Sequence, residues 1–182
     1  MKHLFFVTGP PGIGKTTIIL QTVNFLKTRG FKVGGMVSRE VREKGTRVGF
    51  EIVDINSEKT GWLAHVDQSE GPKVGKYRVN LKDLDRIGTN SIRKAVCSAQ
   101  IVVVDELGPM ELHSSAFKEA ISRATNINKP VLGAIHQRAR DPLIDGLRKR
   151  EDAEILKITY ENRATLHNLL IERIIQFLEE KT

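Results

Sequence analysis

Apolar runs alternating with amphipathic helical patterns predict an α/β fold, a mostly parallel sheet covered by helices on both faces. Three observations carry this reading. LFFV at residues 4–7 is followed by one helical face at Ile19, Val23 and Leu26. IVVVDE at 101–106 ends four apolar residues on two carboxylates, as does a buried central strand whose C-terminal end opens on a ligand crevice. Between residues 38 and 80 the rhythm changes, with Val48, Phe50 and Ile52 on alternate positions, so an antiparallel β-hairpin is inserted in the frame.

Taken in order, the strand at 4–7 runs into GPPGIGKTT and then the first helix, which stops at Lys27-Thr28-Arg29-Gly30 with basic residues and a glycine at its end. KVGGMV (32–37) reads as a second strand. TRVGFEIVD (46–54) and the returning TGWLAHV, joined by INSEK, form the hairpin. Residues 67–75, DQSEGPKVG, are a polar Gly/Pro-rich loop leading to a short strand at Tyr77–Val79. Leu81, Leu84 and Ile87, then Ile92 and Val96, predict a helix in two pieces interrupted near Gly88.

After the acidic strand come a helix at about 114–125 and a strand at 130–135, PVLGAI. Asp141-Pro142 is a suitable N-cap and first-turn pair for a helix through Arg150. AEILKIT (153–159) is the last strand, and Leu166, Leu170, Ile174 and Phe177 share one face of a C-terminal helix. No repeat or low-complexity tract divides the chain, so residues 1–182 are expected to form a single domain.

Composition sets the surroundings. The apolar start is only a few residues long before Gly-Pro, too short for a signal peptide or a membrane span, and Cys97 alone forms no internal disulfide. A cytoplasmic enzyme with no membrane association is expected. The net charge of +7 suits a polyphosphate ligand as well as a nucleic acid. The basic residues are dispersed, however, and no DNA- or RNA-binding signature accompanies them.

Gly9-x-x-x-x-Gly14-Lys15-Thr16, between an apolar strand and a helix, has the spacing of a phosphate-binding loop. Gly9, Pro10, Pro11, Gly12, Ile13, Gly14, Lys15, Thr16 and Thr17 would surround the phosphates, the prolines contributing only shape and carbonyl and the other residues their backbone amides. Lys15 would reach the terminal phosphates, and the Thr16 hydroxyl would bind Mg²⁺. Asp105 is the second expected metal partner, and Glu106 is placed to accept a proton from, or orient, the attacking water. Asp105-Glu106-Leu107-Gly108 also has the Asp-x-x-Gly spacing in which a glycine amide meets a γ-phosphate. Asn128-Lys129-Pro130-Val131 lacks the aspartate that would read guanine, so guanine specificity is not expected.

Three weaker groups have two readings each. In HQRARDP (136–142), Arg138 and Arg140 either supply transition-state charge in cis or belong to a solvated loop before a helix. Arg39, Arg42, Lys44 and Arg47 either close over phosphates or make a solvated charged turn. Asn162 and Arg163 either border the base or ribose, or Asn162 caps the final helix. Trp62 and Tyr77 are expected to pack in the hairpin.

GPPGIGKTT, REVREKGTRVGFEIVDI, VGKYRVNLKDLD, DELGPMEL and ENRATL together resemble the small nucleoside-triphosphatase family whose vertebrate member is called cancer-related nucleoside triphosphatase. The likeness spans nearly the whole chain. It implies a three-layer P-loop NTPase fold with a RecA-like sheet, Mg²⁺-dependent hydrolysis of several nucleoside triphosphates with weak base selectivity, and slower action on diphosphates. It also implies nucleotide contacts at Gly9 to Thr16 and at Asp105 to Gly108. Two other functions fit the motifs: a nucleotide or small-metabolite kinase, for which no acceptor pocket is visible, and a nucleic-acid-associated ATPase.

Overall fold

The computed structural model describes residues 1–180. Nine strands, β1 (Leu4–Thr8), β2 (Val33–Glu43), β3 (Thr46–Asp54), β4 (Thr60–His65), β5 (Lys73–Val74), β6 (Tyr77–Val79), β7 (Ile101–Leu107), β8 (Val131–Ile135) and β9 (Ala153–Lys157), form one sheet. Their spatial order is β5-β6-β4-β3-β2-β7-β8-β1-β9. From β2 to β9 the pairing is parallel, and from β2 to β5 it is antiparallel. The α/β, three-layer expectation stands, but the sheet is mixed and divides at β2.

Six helical stretches cover the sheet: α1 (Lys15–Thr28), α2 (Leu81–Asp83), α3 (Asn90–Ser98), α4 (Ser115–Thr125), α5 (Pro142–Lys149) and α6 (Leu166–Glu179). Because side chains alternate across a strand, β1 sends Phe5 and Val7 to one face and Leu4 and Phe6 to the other. Phe5 and Val7 join Ile18, Ile19, Val23 and Leu26 of α1 and Leu170 and Ile174 of α6. Leu4 and Phe6 join the core that holds Ile92 of α3, Phe117 and Ile121 of α4, and Ile144 and Leu147 of α5. β1, buried on both faces, is thereby fixed inside the parallel half between β8 and β9.

Three expectations change. The expected hairpin forms, β3 pairing antiparallel with β4, but it is continuous with the frame: β2 runs unbroken from 33 to 43, pairing with β7 over Val33–Val37 and with β3 from Met36 to Glu43. Its first half is buried and its second half largely exposed, which is why only 32–37 read as a strand of the frame. A two-residue strand, β5, closes the polar 67–75 loop against β6. The helix also does not break at Gly88. A π-helical stretch over Leu84–Thr89 joins α2 to α3, and Gly88 is buried where a Cβ would come within 2.8 Å of Met36 Sδ. Its glycine serves close packing, not termination.

The other boundaries follow local chemistry. Ser114 caps α4 by accepting from Phe117 N, and Asp141 caps α5 by accepting from Leu143 N, with Pro142 in the first turn. Trp62 packs against His65 and Tyr77 against Phe50, as expected of hairpin residues. Among the described residues no helix is long and apolar enough to cross a membrane.

Candidate active site

β7, β8, β1 and β9 are consecutive parallel strands, so the segments leaving their C-terminal ends gather on one edge of the sheet. Those segments are the acidic 105–111 run, the 136–141 loop, the glycine loop 9–14 and the 158–165 turns. Two bonds tie their starts together. Thr8 Oγ1 donates to the Ile135 carbonyl at 2.9 Å, and the Ile158 amide donates to the Thr8 carbonyl at 2.8 Å.

Burial anchors the glycine loop at its base and leaves its crest exposed. Ile13 is buried, while Pro10, Pro11 and Gly12 are exposed. A Cβ at Gly9 would stand 3.1 Å from Ile13 Cγ2 and 3.4 Å from the Ile158 carbonyl oxygen, so the loop seats only a glycine there comfortably. Gly14 precedes α1 with φ 112°, a conformation that L side chains rarely adopt. The first turn of α1 has neither a side-chain cap nor an acidic residue, so its free amides present the positive end of the helix dipole to an anion.

Lys15 links the loop to the acidic strand. Its ammonium donates to the Gly9 carbonyl at 3.3 Å and lies 3.7 Å from Glu106 Oε2. Asp105 is 1% exposed, and its Oδ2 has no hydrogen-bond partner among the described residues. Burial pushes the Asp105 carboxyl up to about 7; the charge of Glu106 adds to the rise, while a hydrogen bond from Thr16 and the charge of Lys15 oppose it. The Asp105–Glu106 peptide is cis.

Glu106 Oε2 also lacks a hydrogen-bond partner. A buried carboxylate with an open oxygen, next to a hydroxyl at a helix N-terminus, is a donor set suited to a hard divalent cation that keeps water and phosphate oxygens as its other ligands.

The remaining candidates divide. Leu107 is fully buried in the core, and its carbonyl accepts from His136 N at 3.0 Å. Gly108 is buried, and its amide faces the carboxyl of Glu111. Arg138 and Arg140 are exposed on the loop after β8; Arg140 is 82% exposed and lies 3.9 Å from Asp145. Asn162 does not cap α6 with its side chain. Its Oδ1 accepts from Thr159 N and its Nδ2 donates to the Lys157 carbonyl, while Thr165 takes the cap position with its hydroxyl donating to the Asn162 carbonyl and not bonded to the helix amides. The Arg163 guanidinium lies over the Tyr160 ring, 5.0 Å from its centroid.

The three arginines along β2 and β3 are paired within that hairpin. Arg39 bonds Glu51 at 2.6 Å, Arg42 pairs with Glu40, and Arg47 reaches Glu40 and the Tyr77 hydroxyl. The solvated charged turn is therefore the better of the two readings.

Two residues escaped the sequence reading. Arg148 of α5 donates to the carbonyls of His136, Gln137 and Ala139 and so holds the loop that carries Arg138 and Arg140. Glu111, 3% exposed, follows the acidic strand by one turn. An acid within an otherwise ordinary MEL tripeptide was the only trace of it. A cleft of about 540 Å³ beside Lys27, Lys32 and Lys94 lies at the start of β2, away from this site.

Comparison with known proteins decides the class. A family model described as NTPase matches residues 4–171. The chain belongs to this NTPase family. Nucleoside-triphosphatase THEP1 of Thermofilum pendens is 45% identical over 171 residues, covering 93% of this chain and 94% of the relative. The Methanopyrus kandleri protein of the same name is 41% identical over 182 residues and all of both chains. Among solved structures, THEP1 from Aquifex aeolicus superposes with a TM-score of 0.83 at 25% identity, over 94% of this chain and 98% of that one. A human cancer-related nucleoside triphosphatase superposes with a TM-score of 0.81 at 34% identity, over 96% and 97%. This NTPase is a nucleoside-triphosphate phosphatase with the three-layer P-loop fold.

Proposed function

We propose that this NTPase hydrolyses ATP, GTP, CTP and UTP to the diphosphate and phosphate with Mg²⁺ as cofactor, and nucleoside diphosphates more slowly. The uncapped, acid-free N-terminus of α1 behind Gly14 carries the reading, because it offers amides and dipole to a phosphate chain with no protein group competing for them. Thr16 and Asp105 would hold Mg²⁺, which supplies positive charge to the phosphate oxygens when bound. The open Asp105 oxygen supports that assignment.

Lys15 is held between the loop carbonyl and Glu106, so it can turn to the terminal phosphates while Glu106 stays beside it. Glu106 takes the proton of the attacking water or orients it, acting chiefly as the nucleophile approaches. Arg138 and Arg140 stand on the loop next to the acidic strand and supply charge to the equatorial oxygens. Asn162 fixes the turn after β9, and Arg163 on that turn borders the base or ribose. The whole chain works as one domain, in keeping with its single sheet, and the exposed, unpaired Cys97 suits a reducing cytoplasm.

The test is phosphate release from a panel of nucleotides with no added acceptor, with Mg²⁺ or EDTA, and with or without RNA. Release of phosphate from all four triphosphates, dependent on Mg²⁺ and indifferent to RNA, is the expected result. Turnover that waits for a small-molecule acceptor would instead indicate a kinase, and turnover that waits for RNA a nucleic-acid-associated ATPase. Alanine at Arg138 and Arg140, singly and together, should lower kcat and leave the affinity for a non-hydrolysable nucleotide nearly unchanged.

A further inference from the structure

We propose that Glu111 is a positioning residue that acts through Glu106, buttressing the 105–111 turn so that the Glu106 carboxylate stays beside Lys15. The inference rests on the reading of Glu106 given under Proposed function. Three geometric facts support it. Glu111 is 3% exposed although it lies in a short 3₁₀ turn, and no cation among the described residues pairs with it. An acid buried in that way destabilises the fold unless something holds it.

The second fact is its partners. The amides of Glu111 itself and of Gly108 face its carboxyl, so the side chain folds back on the turn that follows Glu106. Thirdly, Gly108 separates the two acids by a glycine's width. A Cβ placed on Gly108 would stand 3.1 Å from Glu111 Oε2 and 3.4 Å from both Cγ and Oε1 of Glu106. The two side chains therefore flank one glycine, whose lack of a side chain leaves room for both.

The charged groups acting on Glu111 are Glu106 and Asp105, both negative. Burial above all, and then Glu106, push the Glu111 carboxyl up to about 8, so that it is mostly the neutral acid at pH 7. A neutral buttress leaves Glu106 as the charged partner of Lys15 and can lend it no proton-accepting role of its own. Glutamine is thus the conservative replacement, since it keeps the size, the neutrality and an acceptor for the two amides.

The test compares Glu111→Ala, Glu111→Gln and Glu111→Met, each alone and with Glu106→Gln, by steady-state kinetics and by the affinity for a non-hydrolysable nucleotide. Loss of an ångström of placement is enough for a rate effect of about 10²-fold. Glu111→Ala should lose about that much in kcat while nucleotide affinity stays within about twofold, and Glu111→Gln should recover most of the loss. In the Glu106→Gln background, Glu111→Ala should add nothing, because the group it positions is gone. If Glu111→Ala does not fold, Glu111→Met fills the same space without an acceptor and should show the same loss of kcat.

Parent-like kcat in Glu111→Ala and Glu111→Met overturns the inference while Glu106 keeps its role. A parallel fall in affinity and kcat, repeated in the Glu106→Gln background, shows a structural acid only. Normal turnover in Glu106→Gln alone overturns the inference by a different route, since it removes the residue on which Glu111 is said to act.

Discussion

The glycine loop and the end of β7 meet at Lys15, yet they are built by opposite means. The loop is backbone chemistry: glycines with positive φ, an uncapped helix start and an exposed crest, with Gly9 and Ile13 buried at its base. The β7 end is side-chain chemistry under burial, with Asp105 and Glu111 almost inaccessible and both pushed toward neutrality. A polyphosphate arriving at the loop finds donors already directed outward. At β7 the arrangement works only because the surrounding core fixes where each carboxyl lies and which of them can ionise.

The largest expected contrast is between Glu106 and Lys15. Glu106→Gln should lower kcat by about 10²–10⁴-fold and leave nucleotide affinity intact, as removal of a group acting in the transition state does. Lys15→Ala should weaken affinity and turnover together, the affinity alone by about tenfold to a hundredfold for a lost charge-assisted bond. Titration calorimetry beside phosphate release separates the two. Parent turnover in Glu106→Gln with normal affinity would erase the distinction between the two halves of the site.

Gly14→Ala should sharpen the contrast from the loop side. At φ 112° the substitution is strained, and the cost of about 1–3 kcal/mol appears as a lower Tm together with weaker nucleotide binding. An alanine tolerated without either change would mean that the loop conformation is not fixed before the nucleotide binds.

The acidic end predicts a pH dependence that the loop does not. In the metal-free protein the folded-state pKa values of Glu111 and Asp105 lie above their ordinary values, at about 8 and about 7. The native state therefore binds more protons than the unfolded chain between about pH 4 and pH 8, and stability falls as pH rises through that window. Below it the sign reverses, because Asp152 is held down by its bond to Arg150 and loses that stabilisation once protonated. Thermal melts in EDTA should show a Tm maximum on the acid side of neutrality, and Glu111→Gln should flatten the fall toward pH 8. A Tm rising steadily from pH 5 to pH 8 would contradict the buried neutral acids.

The smallest effect concerns the base. In the proposed function the groups at the two halves address phosphate and metal, so ATP, GTP, CTP and UTP should turn over within about tenfold of one another, equivalent to roughly 1.4 kcal/mol in barrier. A stronger preference would move attention to the 158–165 turns, where Arg163 and Tyr160 stack.

The amount legible in the sequence differs between the same two regions. Gly9, Gly14, Lys15 and Thr16 could be placed at once, because a loop made of backbone amides needs glycine at fixed spacing whatever surrounds it. Asp105 and Glu106 were legible from the apolar run before them. Glu111 was not, because an acid in MEL looks like any surface acid until the fold closes over it. Arg148 escaped for a related reason: its partners are carbonyls of a loop that only the packing of α5 brings within reach. β2 was read short because its outer half faces solvent, where the alternation that marks a buried face disappears.

The sequence by itself determined the alternation of strands and helices, the place of the glycine loop between β1 and α1, and the acidic strand end. Each is written in residues close together along the chain, and local sterics and periodicity suffice to decode them. Tertiary structure alone decided that β2 turns a parallel sheet into an antiparallel one, that the arginines along β2 and β3 pair with Glu40 and Glu51, and that Asp105 and Glu111 lose their solvent. Ionisation and pairing depend on what stands within a few ångströms, and those neighbours come from distant parts of the chain.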